Sequence, residues 1–187
     1  MSSDLQFSWS LTGSGWATYR IADGESKQKN SPSYYTNALA DLLVGVAGLY
    51  GPDVTQRFSF DLEPAEVRWV LSSRAAAVEI GIYRFADMSE SFDRPDDSGE
   101  LLWSSVQSRT ALGHVVMEAA QGVLRLHGED GYRESGCSIP FPSTSYKSVG
   151  ACTWSGTLAI SRTSWRCRSE SCPSRARSDG EPRAPSV

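Results

Sequence analysis

The short stretch HGED sets His127 beside Glu129 and Asp130. These three side chains are able to ligate a metal ion or to divide the acid and base roles of a hydrolysis. They also suit a plainer purpose, because they fall where a long helical pattern ends, and a cationic histidine followed by a polar turn is favoured there by the helix dipole. The one other histidine, His114, is thirteen residues away. On a helix that is more than three turns, so the two cannot hold one ion together. A second oxygen-rich stretch, DMSESFDRPDDSGE, carries Asp87, Glu90, Asp93, Asp96, Asp97 and Glu100. Calcium takes several carboxylates, but the D-x-[DN]-x-[DN]-G loop is missing, and the stretch reads as a solvated loop whose Asp93, Asp96 and Asp97 are available as contacts. The four cysteines, Cys137, Cys152, Cys167 and Cys172, are spaced C-x14-C-x14-C-x4-C. That lacks the C-x2-C pair of common zinc sites. No G-x-S-x-G, H-E-x-x-H, Walker A or dinucleotide motif occurs, and no cofactor is implied.

The elements that must position these groups show in the hydrophobic periodicity. DLQFSWSLT alternates with Leu5, Phe7, Trp9 and Leu11 on one face, TGSG supplies a hairpin turn, and WATYRIA resumes with Ala17, Tyr19 and Ile21. Trp16 is out of phase with that face and is the aromatic expected to contact a partner, whereas Trp9, Tyr19, Trp69, Tyr83 and Trp103 are expected in the core. The polar segment from Asp23 to Ser33 reads as a loop. Leu39, Leu42, Leu43, Val46 and Leu49 recur at helical steps and stop at Gly51-Pro52; Gly45 and Gly48 inside that run point to close packing on a sheet. Alternating runs through Phe58, Val67, Val78 and LLWSSV predict four more strands. Leu112, Val115, Val116, Ala119, Ala120, Val123 and Leu124 then predict a helix with Gly128 just past its end. The order β-β-α-β-β-β-β-α predicts an α+β fold: one antiparallel sheet of about five or six strands with two helices on one face.

The charge is divided. Residues 1–134 hold 11 Lys/Arg against 19 Asp/Glu, a balance of −8, whereas residues 135–187 hold 7 against 3, a balance of +4. An acidic body argues against nucleic acid or an anionic membrane as its partner. No apolar run is long enough to span a bilayer, and the start MSSDLQFSWSLTG has neither the basic nor the apolar region of a secretory signal, so a cytoplasmic location is expected. A domain over 1–142 is expected to be followed by an irregular, disordered basic tail over 143–187, since 13 of the 53 residues after Glu134 are serine. That tail also reads as GC-rich DNA translated out of frame. Written with codons ending mostly in G or C and shifted by two bases, Ser143 to Cys172 yields ELQERRRLYVEWHAGDQPDLVAVPVGVL, which has a charged helical half and an apolar strand-like half. A frameshift near Pro142 would make the cysteines incidental.

At FSWSLTGSGWATYRIAD, RFSFDLEP, VRWVL and EAAQGVLRLHGEDGY the chain resembles small uncharacterised intracellular proteins of GC-rich actinobacteria. The resemblance covers about residues 5–142, implies an intracellular α+β domain, and carries over no catalytic residue. Bacterial immunity proteins of similar size share the general composition. The leading expectation is therefore a cytoplasmic, non-catalytic binding protein, immunity- or regulator-like, that meets a protein partner through Trp16, Asp93, Asp96 and Asp97. The alternatives are a small hydrolase or metal-dependent enzyme built on His127, Glu129 and Asp130, and a nucleic-acid binder acting through the basic tail.

Overall fold

The computed structural model describes residues 5–33, 35–135 and 141–154. Cys137, Cys167, Cys172 and the tail beyond residue 154 lie outside the described residues. The first three strands, β1 (Gln6–Gly13), β2 (Trp16–Ala22) and β3 (Lys27–Asn30), form an antiparallel sheet in that order. The expected hairpin joins β1 to β2 through Gly13, Ser14 and Gly15, which have φ of 84°, 52° and 82° and so use the conformational freedom of glycine at two of three positions. Its register pairs Phe7 with Ile21, Trp9 with Tyr19 and Leu11 with Ala17, gathering the apolar side chains on one face. β3 lies inside the polar stretch expected to be a loop, and it pairs with β2 from Tyr19↔Asn30 to Ala22↔Lys27.

After α1 (Ala38–Gly48) comes a meander of β4 (Thr55–Asp61), β5 (Glu66–Arg74), β6 (Ala77–Phe85) and β7 (Glu100–Ser108). One apolar row crosses all four strands, Phe58 opposite Trp69, Trp69 opposite Ile82, and Ile82 opposite Trp103. The fold is α+β and antiparallel, but the single sheet expected from the sequence is corrected to two sheets, of three and four strands. Alternation says which face of a strand is buried and not what covers it; here the two apolar faces cover each other. Tyr19 meets Trp69 at 5.4 Å and Phe60 at 5.7 Å between ring centroids, Trp9 meets Phe60 edge-on, and Trp69 Nε1 donates to Tyr19 Oη at 3.2 Å. Burial pushes the Tyr19 phenol far up in pKa, against the opposing hydrogen bonds with Asn30 and Trp69.

The helices close the core from the side. α1 buries Leu39, Leu42, Leu43 and Val46 and lies against β4. Its two glycines serve the close packing expected of them: a Cβ on Gly45 would stand 2.3 Å from the Phe58 ring, and one on Gly48 equally close to the Gln56 amide. α3 (Arg109–Glu134) begins at Ser108, whose Oγ accepts from Ala111 N–H, and it lies against β1 with Leu112, Val116, Ala120 and Val123 buried. The two long helices therefore flank a two-sheet core rather than sharing one face of one sheet. Gly128 has the positive φ expected of a helix stop, 66°, yet the helix resumes beyond this kink and carries Tyr132 into the core. The stretch from residue 143, expected to be irregular, opens with a helix, α4 (Ser143–Trp154), which packs against α1 and α3 and buries Val149. Serine and glycine give it weak intrinsic propensity, so it rests on tertiary contacts that periodicity does not reveal. Among the described residues no helix is long and apolar enough to cross a membrane.

Candidate functional site

β5 alternates Glu66, Arg68 and Val70 with Val67, Trp69 and Leu71. The second set faces the aromatic core. Of the first set, which by period alone belongs on a solvated face, Glu66 and Arg68 are covered by the connection between β6 and β7, with only 2 % of Glu66 and 7 % of Arg68 left exposed. That connection contains α2 (Met88–Ser91) and a 3₁₀ turn (Asp96–Ser98). Asp87 caps α2, accepting from Ser89 N–H at 2.8 Å and from Ser89 Oγ at 2.7 Å, and the Ser89 hydroxyl and then its N–H hold the Asp87 carboxyl below its ordinary value. Met88 N–H donates to Pro64 O, pinning the start of the connection to the β4–β5 turn.

Arg68 is the hub beneath it. Its Nε donates to Glu66 Oε1 at 3.0 Å, Nη1 to Arg94 O at 2.9 Å and to Asp96 Oδ1 at 3.3 Å, and Nη2 to Ser91 O at 2.8 Å. The guanidinium carbon lies 4.3 Å from the centre of the Phe85 ring. Glu66 is satisfied in turn by Ser59 Oγ at Oε1 and by Ser91 Oγ at Oε2, and Arg57 Nε donates to Asp96 Oδ2. Two arginines and two carboxylates neutralise one another, which is the condition under which charges are tolerated away from water. Both Glu66 oxygens are engaged, so the chemistry this cluster does is to hold a loop in one shape.

The shape so fixed turns two side chains outward. Ser91 O and Arg94 O, the two carbonyls that Arg68 grips, bracket Phe92 and Asp93. Phe92 is left 87 % exposed, and Asp93 is exposed beside it. Behind them lies a cavity of about 560 Å³ whose lining includes Arg57, Ser59, Met88, Phe92, Asp93 and Arg94. Of the acids expected as contacts, Asp93 and Asp97 are exposed on this segment. Asp96 is bonded to Arg57 and Arg68 and acts as a strut. Trp16 is half-buried at the far end of the other sheet, bridged to Ser33, and is not part of this constellation.

The HGED residues lie elsewhere again, at the α3 kink. Glu129 and Asp130 are exposed, Glu129 accepts from Ser143 Oγ at 2.8 Å, and Asp130 stands 3.7 Å from Arg133. His114 is an exposed neighbour of Glu118 at 3.6 Å. Among the described residues no three His, Cys, Asp or Glu side chains stand together as a metal would require. No protein-family model, no curated protein and no solved structure matches the chain.

Phe92 and Arg68 are what the residue pattern missed. The available signal was length: fourteen residues, 86–99, between two strands of a meander exceed the usual hairpin connection of about 2–5 residues, and so long a loop is commonly folded over something.

Proposed function

We propose that the chain is a non-catalytic binding domain that grips a protein partner through the β6–β7 connection, with Phe92 as the anchor. The observation that carries this reading is a large apolar side chain held in water by backbone on both sides of it that a buried arginine fixes. Phenylalanine and arginine are both enriched at protein interfaces, and Arg57 and Arg94 stand beside Phe92. A loop already held in its bound shape loses less entropy on association. A cytoplasmic regulator- or immunity-like role fits such a device, in which the contacts of the acidic segment are Asp93 and Asp97 rather than Asp96.

Affinity capture from bacterial lysate, comparing the wild-type chain with Phe92→Ala and Asp93→Asn, tests the reading. Phe92 makes no core contact, so Phe92→Ala should melt within about 0.5 kcal/mol of wild type, as surface substitutions do. It should nonetheless lose a protein that the wild type retains. A set of captured proteins that is the same with and without the phenyl ring rejects the proposal.

A further inference from the structure

The outward face of the three-stranded sheet is chemically unlike the acidic body around it. Register sets Arg20 directly opposite Lys29, with Lys27 two residues along β3 on the same face. All three side chains are exposed, and among the described residues none of them forms an ion pair. Gln6, Ser8 and Ala22 between them leave a broad depression of about 760 Å³ whose lining, among the described residues, contains no carboxylate. Of the acids beside this face, Asp23 has its carboxylate engaged, accepting from Glu25 N–H at 3.0 Å and Ser26 N–H at 2.7 Å, while Glu25 stands exposed in the turn two residues before Lys27.

β3 is also an edge, with β2 as its only strand partner among the described residues. In an antiparallel pair, alternate residues direct N–H and C=O away from the partner strand, so the far side of β3 offers backbone groups to an added chain. We propose that this surface takes an acidic, extended segment of a partner protein, laid beside β3 as a fourth strand with its carboxylates on the cationic face. Same-face side chains recur about 6.8 Å apart along any strand, so carboxylates at alternate positions match Lys27 and Lys29, and Arg20 is in reach of the longer glutamate. Charge fixes the sign of the occupant and the open edge fixes its conformation. A nucleic acid would make no use of the edge, and its backbone would run from three cations into a body of net −8 over residues 1–134. The surface lies on the opposite sheet from Phe92, so it stands or falls independently of that site.

Fluorescence anisotropy with the full chain tests this. The probes are a short labelled peptide of alternating Glu and Thr, the same peptide N-methylated at every second amide, and oligothymidylate. The alternating peptide should bind more tightly as salt is lowered, and Lys27→Gln with Lys29→Gln should weaken it by about tenfold, with Arg20→Gln acting in the same direction. All three positions are exposed, so unchanged melting checks that these variants fold. The N-methylated peptide should bind poorly. Equal binding of the N-methylated peptide, tighter binding of oligothymidylate, or no peptide binding at low salt would each overturn the proposal.

Discussion

On one face of β5, Val67, Trp69 and Leu71 sink into an aromatic and aliphatic core. On the other, Glu66 and Arg68 are nearly as buried yet meet hydroxyls, carboxylates and carbonyls. The two faces reach the same burial at different cost. The apolar face gains from leaving water, whereas the ionic face recovers its desolvation only while each partner is present. The first is tolerant in chemistry and strict in volume; the second is strict in both. An apolar face would serve stability as well, so the ionic one earns its place by specificity: it fixes which backbone carbonyls the loop turns inward, and hence which side chain it turns out.

Removing the centre of each face breaks the comparison most directly. Trp69→Ala empties the aromatic junction and cuts the bond to Tyr19 Oη, and should cost about 3–5 kcal/mol in chemical denaturation. Arg68→Ala leaves Glu66 without its cation and Asp96 with Arg57 alone. It should cost about 3 kcal/mol, at the lower end for a broken buried pair because the loop above can lift and admit water. The double variant Glu66→Leu with Arg68→Met sharpens the contrast. It should restore most of that stability and still lose the partner proposed for Phe92, since nothing then grips Ser91 O and Arg94 O. If the double variant kept its partner, the ionic face would be a stability device only.

Volume, the rule of the apolar side, is tested by two glycines. Gly45→Ala drives a methyl group against the Phe58 ring, itself stacked on Trp69 at 5.8 Å, and should cost about 1–3 kcal/mol as overpacking, less about 1 kcal/mol of gained helix propensity. Gly122→Ala in α3 meets open space and should raise the melting temperature by propensity alone. If the two substitutions behaved alike, the tight seating of α1 on β4 would be wrong.

The apolar side was also the legible side. Trp9, Tyr19, Trp69, Trp103 and the α1 and α3 stripes are buried as their periods predict, because a period of two or of about three and a half is written in the residues themselves. What the pattern could not carry is pairing. It could not say that two faces would cover each other, that residues 27–30 would pair with β2, or that Val149 would anchor a helix in which five of twelve residues are serine or threonine. The candidate site was half legible for the same reason. Asp93, Asp96 and Asp97 were singled out by charge, but Asp96 finds its arginines only through the register that puts Arg57 and Arg68 on one face, and Phe92 looked like one more apolar residue.

Asp41 gives the smallest effect, and it carries the comparison to a single charge at the margin of the core. It sits in the first turn of α1, where the helix dipole favours a carboxylate, and burial raises its pKa above the ordinary 3.8. A carboxyl whose pKa is raised by folding supports the fold fully below 3.8, where it is protonated in both states, and loses that support as pH rises through its folded value. At neutral pH the charge therefore opposes folding. The side chain is only partly buried, so water screens the penalty to about a fraction of a kcal/mol. Asp41→Asn should accordingly melt slightly higher than wild type at pH 7, with the advantage shrinking to nothing as the pH is brought below 3.8. Paired melts across that range check it. A constant difference would mean that the amide acts through packing, and a lower melting point at pH 7 would mean that the dipole wins after all.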